Sequence, residues 1–273
     1  MSTRHSVVNN KKKSSKCIFE EIIQLLGSHA ESNPFTNLDP VLLEKFYKPV
    51  SKKENASDYS SPNTANSKIA SIKNTSENYT FTPAVSNEKK AQMESLRSQV
   101  SVCKMCRLHE KRTNTVFGDG ALSAELMFIG EGPGKDEDLK GLPFVGKAGQ
   151  LLTKMITAMQ FDRREVYIAN IVKCRPPNNR NPEDDEANTC ISYLYRQIEI
   201  ISPKVIILLG AVPLKHLLGL TGISEIHGTW HEFNGIKVMP VYHPAYLLRN
   251  PPAKAPVWEA LKKVMAFFGK KPA

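Results

Sequence analysis

Four cysteines downstream of residue 100 have the clearest capacity for metal chemistry. Cys103 and Cys106 form a tight Cys-x2-Cys pair, and Cys174 and Cys190 follow far downstream with 15 residues between them. Four thiols in a chain without a secretory signal are more typical of a metal site than of disulfides. Structural zinc sites usually contain two tight pairs, so the spacing favours an iron–sulfur cluster over zinc, and four buried core cysteines are the alternative.

A second set of candidate residues follows the apolar runs that we predict as strands. They are Glu131 and Gly132 after one run, Asn170 at the end of another and His243 after a third. Because the carboxyl ends of parallel strands meet at one edge of a sheet, we expect these side chains to converge there. An Asn amide offers both donors and an acceptor, which suits the edge of a pyrimidine base. Phe144 lies in a loop of small residues, where it either caps the core or stacks on a base.

The glycine-rich residues 130–134 faintly resemble a dinucleotide-binding fingerprint. That fingerprint needs a helix to begin within the glycines, so that its N-terminus meets the pyrophosphate. Here Pro133 and an acidic run follow, and the next helix is predicted only near Lys147. The sequence therefore favours a loop whose backbone approaches a ligand closely, with Glu131 directed at donors on that ligand.

The elements that would position these residues form a regular α/β pattern from about Ala91 onward. Four apolar runs predict buried strands at residues 126–130, 166–172, 205–210 and 238–242. Helices are predicted at residues 147–160, from residue 182 onward, and at 211–218 and 255–268. This alternation predicts a parallel sheet that is covered by helices on both faces.

The first 90 residues have a different composition. Residues 51–90 contain 18 Ser, Thr or Asn and no Leu, so they cannot bury enough apolar surface and are predicted to be a disordered linker. Residues 1–50 contain two short helix patterns, which form either a marginal tail or a peptide that docks an unknown protein. Cys17 lies in this extension, apart from the other four cysteines. Residues 91–273 are then the α/β domain.

Charge and hydropathy limit the function classes. The 273 residues include 37 Lys and Arg against 27 Asp and Glu, a net charge of +10 that favours an anionic partner such as nucleic acid. No run of about 18 apolar residues is present, so a membrane-spanning helix is not expected. Together with the cysteine usage, this predicts a cytoplasmic protein.

Taken together, these residues resemble the family 4 uracil-DNA glycosylases, the iron–sulfur uracil excision enzymes of bacteria and archaea. The resemblance covers about residues 91–269 and is carried by GEGPGKDED, GLPFVGKAGQLL, ANIVKCRPP, HPAYLLR and the cysteine spacing. It implies a three-layer α/β/α sandwich with a four-stranded parallel sheet. It also implies monofunctional hydrolysis of the N-glycosidic bond of uracil in DNA, leaving an abasic site for base excision repair. A glycosylase for hypoxanthine or xanthine and a non-catalytic iron–sulfur DNA-binding module are the alternatives.

The resemblance also implies a cofactor and a base pocket. The cofactor is a 4Fe-4S cluster, and its ligands by motif position are Cys103, Cys106, Cys174 and Cys190. The uracil pocket is formed by Glu131, Gly132, Phe144, Asn170 and His243. The expected partner is uracil-containing DNA, single- or double-stranded, bound by a monomer.

Within this pocket, His243 is expected to donate a hydrogen bond to the departing uracil anion. Glu137 either positions the attacking water or braces the loop, and Glu131 fixes the pocket wall. The wider superfamily often has an Asp in the first loop to activate water, and here Gly132 occupies that position.

The HPAYLLR segment is expected to enter the minor groove as a loop. Leu247 would act as a wedge in the gap that the flipped base leaves. Arg249 would contact phosphates, together with the other basic residues near these loops, Lys147, Lys173 and Arg175.

Overall fold

The computed structural model describes residues 86–272. The two predicted N-terminal helices, Cys17 and most of the predicted linker lie outside the described residues. Helix α1 (Asn87–Ser101) begins before the predicted end of the linker at residue 90. Its start is fixed by Ser86, whose side chain accepts a hydrogen bond from the backbone N–H of Lys89.

The centre of the described region is a six-stranded sheet. Its strands are β1 (Asp119–Gly120), β2 (Leu126–Gly130), β3 (Tyr167–Asn170), β4 (Val205–Leu209), β5 (His231–Phe233) and β6 (Ile236–Val241). They lie in the order β1-β3-β2-β4-β6-β5. The four central strands are parallel and are the four predicted from the sequence. The prediction of a four-stranded sheet missed β1 and β5, which pair antiparallel at the two edges and are too short to show an alternating pattern.

Seven helices follow α1 within residues 86–272. They are α2 (Lys135–Lys140), α3 (Lys147–Ala158), α4 (Asp184–Ile201), α5 (Ala211–Leu218), α6 (Ile223–Ile226), α7 (Pro244–Arg249) and α8 (Lys254–Phe267). The four predicted helices correspond to α3, α4, α5 and α8. Short 3₁₀ turns are found at Arg107–Glu110, Pro177–Asn179 and Pro251–Ala253.

Two short helices correct the sequence predictions. Helix α2 begins directly after Gly134, so the expectation that no helix begins before Lys147 was wrong. Its first turn carries three acidic residues, which stabilise the positive helix end but would repel a phosphate. Helix α7 replaces the loop predicted for HPAYLLR, because His243 caps it and Pro244 occupies its first position.

The sheet separates two apolar cores, and successive strand residues point alternately to each. On one face α1, α4 and α5 pack against β-strand residues such as Met127, Ala169 and Leu208. On the other face α3, α7 and α8 pack against Phe128, Ile168 and other strand residues. This arrangement confirms the three-layer α/β/α sandwich. None of the helices described has the length and apolar character needed to cross a membrane.

Candidate active site and cysteine cavity

A cleft of about 570 Å³ lies at the carboxyl edge of β2, β3 and β6. It is built by the segments that follow these strands, which is where ligands bind in open parallel sheets. The structure brings all five residues of the predicted pocket to this cleft, together with three further predicted residues. Those lining residues are Glu131, Gly132, Phe144, Asn170, His243, Glu137, Lys147 and Arg249.

Asn170 ends β3 at the floor of the cleft and is only 1% exposed. Its Oδ1 atom is buried and has no hydrogen-bond partner among the described residues. Gly130 makes room for this arrangement, since a Cβ there would lie 2.5 Å from Asn170 Oδ1 and 2.6 Å from Phe144 Cζ. Leaving a buried acceptor unpaired costs about 1–3 kcal/mol, so this oxygen is prepared for a donor on a ligand.

Phe144 is buried beside this oxygen in an unusual backbone conformation. Its φ of 52° lies in the left-handed region, which costs a non-glycine residue on the order of 1–3 kcal/mol. The first turn of α3 holds it there, because a Cβ on Gly149 would lie 1.9 Å from the Phe144 carbonyl oxygen. Its ring centroid is 5.8 Å from that of His243, so the two rings share one part of the cleft.

His243 is fixed as a neutral hydrogen-bond donor. Its Nδ1 accepts the backbone N–H of Ala245 at 3.1 Å, which leaves Nε2 to carry the proton of a neutral ring. Burial, reinforced by the positive charge of Arg249 and partly offset by Glu137, lowers the pKa of His243 to about 4. The ring is therefore neutral at physiological pH.

The two residues after β2 differ in what they can supply. Glu131 is half-buried, and burial raises its pKa to about 7. Gly132 has no space for a side chain, because a Cβ there would lie 2.6 Å from Val172 Cγ2. A carboxylate at position 132 would therefore require Val172 to move.

Glu137 joins the start of α2 to the loop before α3. One carboxylate oxygen accepts the N–H of Gly134 at 3.1 Å, and the other accepts those of Val145 and Gly146, both at 2.9 Å. Of the two roles predicted for Glu137, this geometry matches the brace, since both of its oxygens are already occupied by backbone donors.

A second cavity is lined by all four predicted cysteine ligands, which are unpaired thiols. Arg112 Nη1 donates to Cys174 Sγ at 3.1 Å, and the backbone N–H of Lys173 donates to Cys190 Sγ at 3.3 Å. In residues 86–272 no three Cys, His, Asp or Glu side chains are placed to chelate one metal ion. Burial raises the pKa of Cys190 to about 12, so a thiolate there needs a cationic partner. Four thiols that line one cavity, two of them with an N–H donor directed at the sulfur, match the donor set of an iron–sulfur group.

Comparison with known proteins identifies the family. The model of the uracil DNA glycosylase superfamily matches residues 117–264, more than half of the chain. The chain belongs to this superfamily. It is 45% identical over 182 residues to the type-4 uracil-DNA glycosylase of Sulfurisphaera tokodaii, covering 63% of this chain and 83% of that one. It is 43% identical to the type-4 enzyme of Archaeoglobus fulgidus, covering 63% and 92%, and 44% identical to that of Thermotoga maritima, covering 65% and 95%. These matches confirm the resemblance to the type-4 group.

Two residues that were predicted to contact DNA are buried, so these two predictions are wrong. Leu247 is 1% exposed and packs in the core with α3 and α8, so it is not available as a wedge. Its neighbours Tyr246 and Leu248 are the large hydrophobic residues of α7 that are exposed, at 40% and 45%. Lys173 is also 1% exposed and cannot reach a phosphate, whereas Arg249 is exposed and lines the cleft.

Several residues that line the cleft were not predicted from the sequence. Arg180, in the segment after the 3₁₀ turn Pro177–Asn179, is held by bonds of 2.7 and 2.8 Å to the buried carboxylate of Glu186. The cluster of Pro and Asn after β3 was a signal for a loop at this edge. Tyr246 was hidden because HPAYLLR was taken as a loop rather than a helix.

Proposed function

We propose that this chain hydrolyses the N-glycosidic bond of uracil in DNA and leaves an abasic site, the activity for which its type-4 relatives are named. The observation that carries the proposal is the unpaired Oδ1 of Asn170 at the floor of the cleft. Uracil has an N–H donor at N3, whereas cytosine has an acceptor there. A fixed acceptor in the cleft therefore selects uracil over cytosine.

The base reaches this cleft only after it leaves the DNA stack, at a cost of a few kcal/mol. A uracil mispaired with guanine is already weakened and flips more easily. Phe144 lies beside Asn170 and stacks on the flipped ring, which offsets part of that cost. The first turn of α3 holds the strained backbone of Phe144, so the ring is in place before the base arrives.

His243 stabilises the leaving group. Cleavage of the bond between N1 and the sugar leaves a uracil anion whose charge develops on O2 and O4. The Nε2–H of the neutral His243 ring donates to O2, and this bond strengthens as the charge grows. The Nδ1 bond to the Ala245 N–H prevents the ring from presenting an acceptor instead.

Water attacks without a carboxylate base at position 132, where the wider superfamily often has an Asp. Gly132 supplies no carboxylate, and Glu137 is committed to three backbone donors. The sugar is already oxocarbenium-like as uracil departs, so a weakly activated water is sufficient. Glu131 forms part of the cleft wall. In this mechanism water, and not a lysine amine, attacks the sugar, so the enzyme is monofunctional and does not cleave the strand.

DNA is held by exposed groups around the cleft. Arg249 and Lys147 contact phosphates, which makes binding depend on salt concentration. Tyr246 and Leu248, exposed on α7, take the place of the buried Leu247 beside the gap left by the flipped base.

Cys103, Cys106, Cys174 and Cys190 would hold a 4Fe-4S cluster. When bound, this group supplies a rigid cross-link between the segment after α1 and the segments that carry Cys174 and Cys190. Hydrolysis of a glycosidic bond transfers no electron, so the role assigned to the group is structural. Arg112 and the Lys173 N–H support the ligands from outside.

The domain organisation belongs to the same proposal. The glycosylase domain comprises the residues from 91 onward, together with the first turn of α1, and acts as a monomer. Residues 51 to about 85 serve as a linker, and residues 1–50 form either a tail or a peptide that docks a protein partner. This division rests on the composition of residues 51–90.

The test is base release by the full chain from oligonucleotides of one sequence carrying uracil, hypoxanthine, xanthine, thymine or cytosine. Uracil alone should yield an abasic site, and the strand should break only after alkali. Faster release of hypoxanthine or xanthine would indicate a different deaminated base as substrate. Binding without any release would indicate a non-catalytic DNA-binding module.

A further inference from the structure

Lys173 lies buried between the cleft and the cysteine cavity. It follows Asn170 by three residues, directly precedes Cys174 and lines the cysteine cavity. Its Nζ donates to the backbone carbonyl oxygen of Asn170 at 2.8 Å and to Gln197 Oε1 at 2.6 Å. One side chain therefore contacts both the strand end that carries the base-reading amide and the wall of the cysteine site.

In the hydrogen-bond network around Lys173, the neighbouring groups fix which end of the Gln197 amide faces the lysine. Gln197 is fully buried, and its Nε2 donates to the carbonyl oxygen of Phe117 at 2.9 Å and to the hydroxyl of Tyr167 at 3.1 Å. Both amide hydrogens are thus used, and the amide oxygen must face Lys173. The network holds the amine in place, but it offers only neutral acceptors.

A buried ammonium group needs an anion nearby, because desolvation without one is costly. No carboxylate in residues 86–272 forms an ion pair with Lys173. Burial lowers the pKa of Lys173 to about 8, and the nearby sulfurs of Cys190 and Cys174 oppose this shift. The backbone N–H of Lys173 also donates to Cys190 Sγ. Metal-bound thiolates would be a suitable counter-charge.

We propose that Lys173 is a positioning residue that couples the cysteine site to base recognition. Its ammonium group balances the charge of the iron-bound thiolates, and its hydrogen bond to the Asn170 carbonyl fixes the end of β3. Loading of the cysteine site thereby stabilises the position of the Asn170 side chain in the cleft. The inference rests on the uracil excision and the iron–sulfur group proposed above.

Arg112 provides a matched control. Its side chain donates directly to a cysteine sulfur, Cys174 Sγ. Its second contact is with the carbonyl oxygen of Ser101, on the side of α1, and not with Asn170. Removing its charge should therefore alter the iron–sulfur group without the direct effect on the cleft.

The experiment compares the full-length, iron-loaded wild type with Lys173→Met and Arg112→Met. Iron content and the midpoint potential of the bound group report on the cysteine site, and single-turnover uracil release over a range of DNA concentrations reports on the cleft. Both variants should show a more negative potential, because a nearby cation favours the more negatively charged reduced state. Only Lys173→Met should also raise the half-saturating DNA concentration, on the order of tenfold, as expected for loss of a hydrogen bond from a charged group.

Two results would overturn the inference. If the midpoint potential of Lys173→Met equals that of the wild type, Lys173 is not a counter-charge to the iron–sulfur group. If the two variants have equal half-saturating DNA concentrations, Lys173 does not couple the cysteine site to Asn170.

If Lys173→Met does not fold, Gln197→Met takes its place. It should keep the iron and its potential but weaken uracil recognition, and unchanged recognition would again refute the coupling. Failure of the wild type to release uracil counts against the proposed function, whereas the potentials still test the counter-charge role.

Discussion

The cleft and the cysteine cavity lie on either side of the segment from Asn170 to Cys174. They differ in whether their polar groups already have hydrogen-bond partners. In the cleft, Asn170 Oδ1 is buried without a partner and Phe144 is held at a strained φ. In the cavity, Cys174 and Cys190 each receive an N–H donor from a neighbouring residue. A site that must bind and release a base keeps groups unsatisfied until the ligand arrives. A site for a permanent group has its support already in place.

His243→Ala should have the largest effect on the cleft. Single-turnover uracil release should fall about a hundred- to a thousand-fold, because the bond from Nε2 gains strength only in the transition state. DNA affinity and iron content should stay close to wild type. His231→Ala, in the edge strand β5, is the control histidine. A wild-type single-turnover rate in His243→Ala would show that the leaving-group role is misassigned.

Cys174→Ala should disrupt iron binding in the cysteine cavity. Wild-type protein should contain about four irons per chain and absorb broadly in the visible range through sulfur-to-iron charge transfer. The variant should lose the colour, together with solubility or thermal stability. Iron analysis and visible spectra of anaerobically purified samples provide the measurement. A colourless, zinc-containing wild type with full activity would contradict the assignment of the four cysteines.

Glu131→Gln should increase the free energy of unfolding at high pH, because it removes a carboxylate that is costly to bury in its ionised form. Burial raises the pKa of Glu131 to about 7 from an ordinary value near 4.5. The protonated form thus stabilises the fold below the unfolded pKa, and this contribution is lost as pH rises through 7. The variant should be more stable than wild type at pH 8, by on the order of 2 kcal/mol, and similar to it near pH 4.5.

Chemical denaturation at the two pH values gives these free energies of unfolding. Glu94→Gln, a change on the exposed surface of α1, is the control and should show no such difference. Equal stability of Glu131→Gln and wild type at pH 8 would mean that the Glu131 carboxylate is not desolvated.

Removal of residues 1–85 should have the smallest effect on both sites. Every residue assigned to the cleft and the cavity lies downstream, and Ser86 still caps α1. Uracil release should stay within about twofold of the full chain. A folded, iron-loaded truncation with much lower activity would place part of the site in the extension.

The sequence was sufficient for the elements with long, regular patterns. The four parallel strands and helices α3, α4, α5 and α8 have apolar runs or faces that predict their type directly. Polar residues that follow such strands could be assigned to one edge, and the structure places them there. Helices α2 and α7 were missed because six residues are too few to show a helical period.

Burial of individual residues was harder to predict. In HPAYLLR the sequence does not reveal which leucine faces the core, and it is Leu247 rather than Leu248 that does so. Lys173 was predicted to contact phosphate because a lysine beside polar loops is usually exposed. Its burial depends on acceptors from Asn170 and from Gln197 in α4, a contact between distant parts of the chain.

The claim that Asn170 Oδ1 accepts the N3–H of uracil can be tested most directly with a modified base. Single-turnover release is measured for uracil and for N3-methyluracil in the same oligonucleotide, with wild type and Asn170→Ala. The wild type should release uracil much faster, since the methylated base has no hydrogen to donate. The ratio of the two rates should be much smaller in Asn170→Ala. The same ratio in both proteins would show that Asn170 does not read the base.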